Sequence, residues 1–155
     1  MMMVHHFIKF YNGFTFFVFL FLFTMVYFCF SCSVDPCQLH TVLHDEDRDI
    51  EDVGGYECDS QLNSGWYRFL NKTGIRMPTT CPPTDRCGTT WPGWLEGVHP
   101  TVEDGIVART VYFRRRQNCK ELAVHNIEVK NCSSFFVYFL RPTSKCTYRY
   151  CYSSK

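Results

Sequence analysis

The sequence predicts a small, mainly β domain, disulfide-rich, largely antiparallel and interrupted by long loops. Three observations predict it. Eight of the ten cysteines fall after residue 33, and an even set behind a secretory leader reads as a disulfide framework built in an oxidising compartment. The apolar runs beyond residue 60 are short, β-branched and aromatic, which suits strands better than helices. The stretch Cys58–Pro100 carries all three tryptophans and most of the glycines and prolines, a density of turn chemistry that no single long helix or strand accommodates.

Residues 1–33 read as the leader. Met1–Gly13 carries Lys9 and no acid, Phe14–Phe30 is apolar, and the small residues Ser31 and Ser33 follow. A basic start, an apolar middle and a small-residue exit describe a signal peptide, with cleavage expected near Ser33–Val34. The apolar run is long for that class and short for a membrane span, so an uncleaved signal anchor is the alternative. No second apolar run of spanning length follows, so no membrane span is expected after cleavage. The expected mature domain is 34–155. It holds 15 acidic and 15 basic residues, a balance that argues against a nucleic-acid partner. Asp35–Asp59 is strongly acidic and Gly105–Lys155 strongly basic. Mutual neutralisation in the fold is the preferred reading over a basic patch for an acidic partner.

The first mature segment, Cys37–Glu57, has little periodicity. Gln38–Leu43 reads as the start of a short helix. His40 and His44 would share a face of such a helix, as a metal site needs, but a solvated acidic loop with incidental histidines is preferred and no metal is expected. Gly65–Leu70 is a strand with Trp66 and Arg68 on one face and Tyr67 and Phe69 on the other. Asn71-Lys72-Thr73 is an N-glycosylation sequon in a turn. Trp91 and Trp94 are read as core residues rather than a sugar-stacking platform, and His99 as structural. Gly105–Phe113 is the strongest strand candidate, and Arg114–Asn118 reads as a polar hairpin tip. Ile127–Cys132 alternates as a half-buried strand. Phe135–Leu140 reads as a buried strand joined to it by a hairpin at Ser133-Ser134. Asn131-Cys132-Ser133 is a second sequon, weakened by its central cysteine. Cys146 and Cys151 staple the tail.

No catalytic motif is present: there is no Gly-x-Ser-x-Gly, no His-Glu-x-x-His and no phosphate-cradling glycine loop. The expectation is a non-enzymatic extracellular module without a cofactor. Spacing alone does not pair Cys37, Cys58, Cys81, Cys87, Cys119, Cys132, Cys146 and Cys151, and the tight Cys-x-x-Cys pairs of zinc ribbons are absent.

Ordered blocks run through the whole mature region. They include Asp35-Pro36-Cys37, Gly65-Trp66-Tyr67-Arg68-Phe69, Gly74-Ile75-Arg76-Met77-Pro78, Arg86-Cys87-Gly88-Thr89, His99-Pro100, Asp104-Gly105-Ile106-Val107, Val129-Lys130-Asn131-Cys132 and Tyr150-Cys151. In these blocks the chain resembles the cysteine-rich domain shared by uromodulin and the major glycoprotein of pancreatic secretory granule membranes. Many members of that family carry cysteines where this chain has Tyr112 and Lys120, which is what the loss of one bridge would look like. The resemblance implies the pairs Cys37–Cys132, Cys58–Cys146, Cys81–Cys119 and Cys87–Cys151. It also implies a secreted glycoprotein that binds extracellular proteins or glycan-binding lectins. In the family a high-mannose glycan on this domain acts as a decoy for bacterial adhesins. The matching segment here, Val137–Arg141, has no sequon, so the glycan would sit elsewhere, at Asn71. Filament formation, which belongs to the zona pellucida module of those relatives, is not expected of this domain. A structural matrix component or docking module is the alternative, and a small protease inhibitor with a reactive loop at Asn71–Thr80 comes third.

Overall fold

The computed structural model describes residues 34–70 and 72–154. Asp35–Lys155 forms one compact unit. The expected leader lies outside the described residues.

Seven strands form one sheet: β1 (Thr41–Leu43), β2 (Gly65–Phe69), β3 (Trp91–Leu95), β4 (Ile106–Arg115), β5 (Asn118–Asn131), β6 (Phe136–Leu140) and β7 (Tyr148–Tyr150). Their order across the sheet is β1-β2-β6-β5-β4-β3-β7. The four central pairings are antiparallel. The two outer pairings, β1 on β2 and β3 on β7, are parallel, so the sheet is mixed rather than antiparallel throughout. Both outermost strands are three residues long, too short to hold a register alone. Long loops deliver each of them, and that frees their direction from hairpin geometry.

β4 and β5 form the central hairpin. Val111 and Phe113 alternate inward and are fully buried, and Arg116-Gln117 makes the tip between Arg115 and Asn118. β5 begins well before the expected Ile127 because the whole length of β4 templates it. Arg109 pairs with Ile127 but Val111 pairs with Val124, so β5 carries an extra residue there. Asn126 sits in that bulge with φ 57°, a conformation Asn tolerates better than most residues.

β3 runs through a sequence that argues against a strand. Pro92 is tolerated near its start, where no ladder donor is required of it. Gly93 is required by contact, since a Cβ there would lie 2.7 Å from the Phe113 ring. β1 occupies the segment expected to begin a helix. Thr41-Val42-Leu43 offers β-branched and apolar residues to the open side of β2, and that pairing outweighs a weak helical tendency.

Phe69, Leu95, Val111, Phe113, Ile127, Val129, Tyr138, Leu140 and Tyr150 form the core face. The glycine- and proline-rich loop after β2 closes over them, bringing Ile75 and Met77 to 8% and 1% exposure. Four disulfides join Cys37 to Cys132, Cys58 to Cys146, Cys81 to Cys119 and Cys87 to Cys151, with Cα separations of 5.0–5.8 Å.

Candidate functional site

The acidic segment is less solvated than its composition suggests. A single 3-10 turn, Glu46–Arg48, tucks Arg48 inside at 5% exposure. Its guanidinium donates to both Asp59 oxygens, at 2.9 and 2.7 Å, to Asp45 at 2.7 Å and to the Tyr150 carbonyl at 3.1 Å. Asp59 in turn accepts the Tyr150 N–H at 2.7 Å. Arg149 of β7 makes a bidentate pair with Asp47 at 2.8 and 3.0 Å, which holds the Asp47 carboxyl below its ordinary range. Gly88 has φ 61°, and a Cβ there would meet the Arg149 guanidinium at 2.3 Å. Lys130 pairs with Asp35 at 2.9 Å. The acidic and basic ends of the chain thus neutralise each other at several points.

His40 and His44 do not share a helix face, since β1 lies between them. His40 bonds the Pro36 carbonyl at 2.9 Å and packs on Phe135. Among the described residues no group of three or more His, Cys, Asp or Glu side chains is placed to hold a metal ion. Trp94 is 8% exposed and donates its indole N–H to the Cys119 carbonyl at 2.9 Å. Trp91 is half-buried, and neither ring is a free platform.

The other feature of note is an open groove of about 530 Å³, lined by Arg76, Thr79, Val98–Val102, Asn131 and Phe136. Its wall is built from a hydrogen-bonded chain. The Met77 N–H donates to the Tyr138 hydroxyl at 3.0 Å. With one lone pair taken by Met77, the hydroxyl keeps its proton to offer Nε2 of His99, 2.9 Å away. An imidazole that accepts must be neutral, and burial together with the Arg76 and Arg109 cations pushes His99 from 6.5 down to about 4. Its ring packs at a tilt against Phe136, with centroids 4.5 Å apart. Asn131, the registered neighbour of Phe136, donates its amide to the Pro100 carbonyl at 3.0 Å and accepts the Ser133 N–H at 2.9 Å.

The two sequons are therefore in different surroundings. Asn131 is half-buried at the groove. Asn71 lies outside the described residues, but Lys72, Thr73 and Gly74 beside it are exposed. Sequence reasoning missed the Arg48 network and the groove, whose members lie far apart in the chain.

The family profile for the uromodulin-like domain matches residues 67–152. The chain belongs to the uromodulin-like domain family. Among curated relatives, the pancreatic secretory granule membrane major glycoprotein GP2 of Rattus norvegicus is 45% identical over 122 residues, covering 76% of this chain. The Canis lupus familiaris counterpart is 44% identical over 120 residues. Uromodulin of Rattus norvegicus is 41% identical over 118 residues. The match spans 23% of the GP2 chains and 18% of uromodulin, so this uromodulin-like domain corresponds to about a fifth of those proteins. The first two relatives are by name glycoproteins of a secretory granule membrane. No helix among the described residues is long and apolar enough to cross a membrane.

Proposed function

We propose that this chain is an extracellular, non-catalytic binding module. Residues 1–33 are removed as a signal peptide, and residues 34–155 form the disulfide-stapled domain. An N-linked glycan on Asn71 is displayed to glycan-binding lectins, with microbial lectins diverted as by a decoy. The exposure of Lys72–Gly74 beside the Asn71 sequon supports this most directly. The exposed residues Lys72–Gly74 lie between buried Leu70 and buried Ile75. Asn131 is the second acceptor. Its amide already serves the Pro100 carbonyl, so its occupancy is expected to fall below that of Asn71.

The test is intact mass of the product from secretory cells, before and after N-glycosidase, for wild type, Asn71→Gln and Asn131→Gln. Capture on a mannose-specific adhesin is then measured. Loss of most glycan mass and of capture in Asn71→Gln is expected. An unglycosylated secreted product, or capture that survives N-glycosidase, would overturn the decoy reading. The second reading, docking to an extracellular protein, is favoured by the groove at Phe136. Exposed Val98 and Val102 flank it, at 75% and 47% exposure.

A further inference from the structure

Seven tyrosines lie among the described residues, and six are occupied. The hydroxyls of Tyr67, Tyr150 and Tyr152 donate to the carbonyls of Asn63, Arg141 and Glu46. Tyr138 is fully buried against His99, and Tyr148 is 7% exposed. The Tyr112 ring lies 4.6 Å from the Lys120 ammonium. Tyr56 differs from all of them. It is 86% exposed, and its phenol has no hydrogen bond or ring contact among the described residues. An exposed tyrosine with no packing role is unusual, since the residue normally buries its ring.

The backbone around it explains the presentation. The Gly54 N–H donates to the Asp85 carbonyl and the Glu57 N–H to the Gly88 carbonyl, at 3.0 and 2.9 Å. Gly55 rests so closely on Gly88 that a Cβ would lie 2.4 Å from its oxygen. The loop is fixed on either side of Tyr56 while the phenol stands in solvent. Residues 54–58 are irregular, and Glu51, Asp52 and Glu57 beside Tyr56 are exposed. No Lys or Arg occurs between Arg48 and Arg68, and although the Arg86 guanidinium bonds the Glu51 carbonyl across the loop, the acids of the segment outnumber it and would draw a cationic transferase cleft.

We propose that Tyr56 is a site of tyrosine O-sulfation, with phosphoadenylyl sulfate as donor. The phenol oxygen attacks the sulfur. The new O–S bond forms as the S–O bond to the donor phosphate breaks, and its electron pair leaves with the adenosine bisphosphate. The phenolic proton passes to a base of the transferase. No oxidant or reductant is needed. The product carries a fixed negative charge on an already acidic loop, a ligand for a cationic protein surface. The inference rests on the extracellular reading above, because the donor and transferase belong to the secretory route.

The experiment labels cells expressing the full chain with radioactive inorganic sulfate. The secreted protein is stripped with N-glycosidase to remove sulfate carried on glycan. Wild type is compared with Tyr56→Phe and with the combined Glu51→Gln, Asp52→Asn, Glu57→Gln variant. Tyr56 has no packing partner, so its variant is expected to fold. The expected result is label that survives deglycosylation, is released as sulfotyrosine on alkaline hydrolysis, is lost in Tyr56→Phe and falls several-fold in the acid variant. A secreted wild type without such label, label retained by Tyr56→Phe, or a phosphatase-sensitive addition at Tyr56 overturns the proposal. If the chain is not secreted, the extracellular reading fails. Sulfation is then decided by incubating the full chain with Golgi membranes and labelled donor. Transfer to wild type but not to Tyr56→Phe supports it, and no transfer overturns it.

Discussion

His99 acts as a hydrogen-bond acceptor inside a wall of the groove, and that role carries a pH dependence. Its folded pKa, about 4, lies below the ordinary 6.5. Between those values the unfolded chain binds the proton and the folded chain does not. The stabilisation is therefore complete above about pH 6.5 and is lost as pH falls towards 4, up to about 3 kcal/mol in all. The urea midpoint should drop between pH 7.5 and pH 4.5 in wild type, and much less in His99→Gln, which keeps an acceptor for the Tyr138 hydroxyl without titrating. A structural role for His99 was legible from its place before Pro100. Its partner was not, because Tyr138 lies 39 residues away in the chain and no local pattern encodes that meeting.

At the scale of elements, period-two runs of β-branched and aromatic residues were readable. Gly65–Phe69, the body of β4 and the β5–β6 hairpin follow directly from them. β3 and β7 were not readable. Pro92 and Gly93 contradict strand propensity, and Tyr148–Tyr150 is too short to show a period. Both depend on tertiary pairing, which overrides local preference. The bulge in β5 was equally hidden, since it is a property of the pair and not of one strand. It makes a testable demand on Asn126. Asn126→Val, forced to positive φ with a branched side chain, should cost about 1–3 kcal/mol. Asn126→Gly should be neutral or slightly stabilising. Thermal unfolding of the two variants beside wild type measures this.

Across the whole molecule, the uneven charge of the chain proved to be a folding instruction, with acids from the first segment meeting bases from the last. The deepest ion pair, Arg48 with Asp59, joins two residues of that first segment where it meets β7. Arg48→Met removes the cation but leaves Asp59 inside, and an unpaired buried charge costs about 3–5 kcal/mol. The urea midpoint should drop accordingly, with the disulfides intact. Cysteine spacing alone could not have paired the eight, since partners lie 38 to 95 residues apart. Those same long separations have a mechanical meaning. When the two ends of the domain are pulled apart, tension entering near Cys37 crosses at once to Cys132 and leaves through the chain that follows it, β6 and β7 included. Nearly everything between those two cysteines is shunted out of the line of force. The domain would lengthen under flow through the chain after Cys132, where β6 and β7 lie, while the long β4–β5 hairpin stays outside that path.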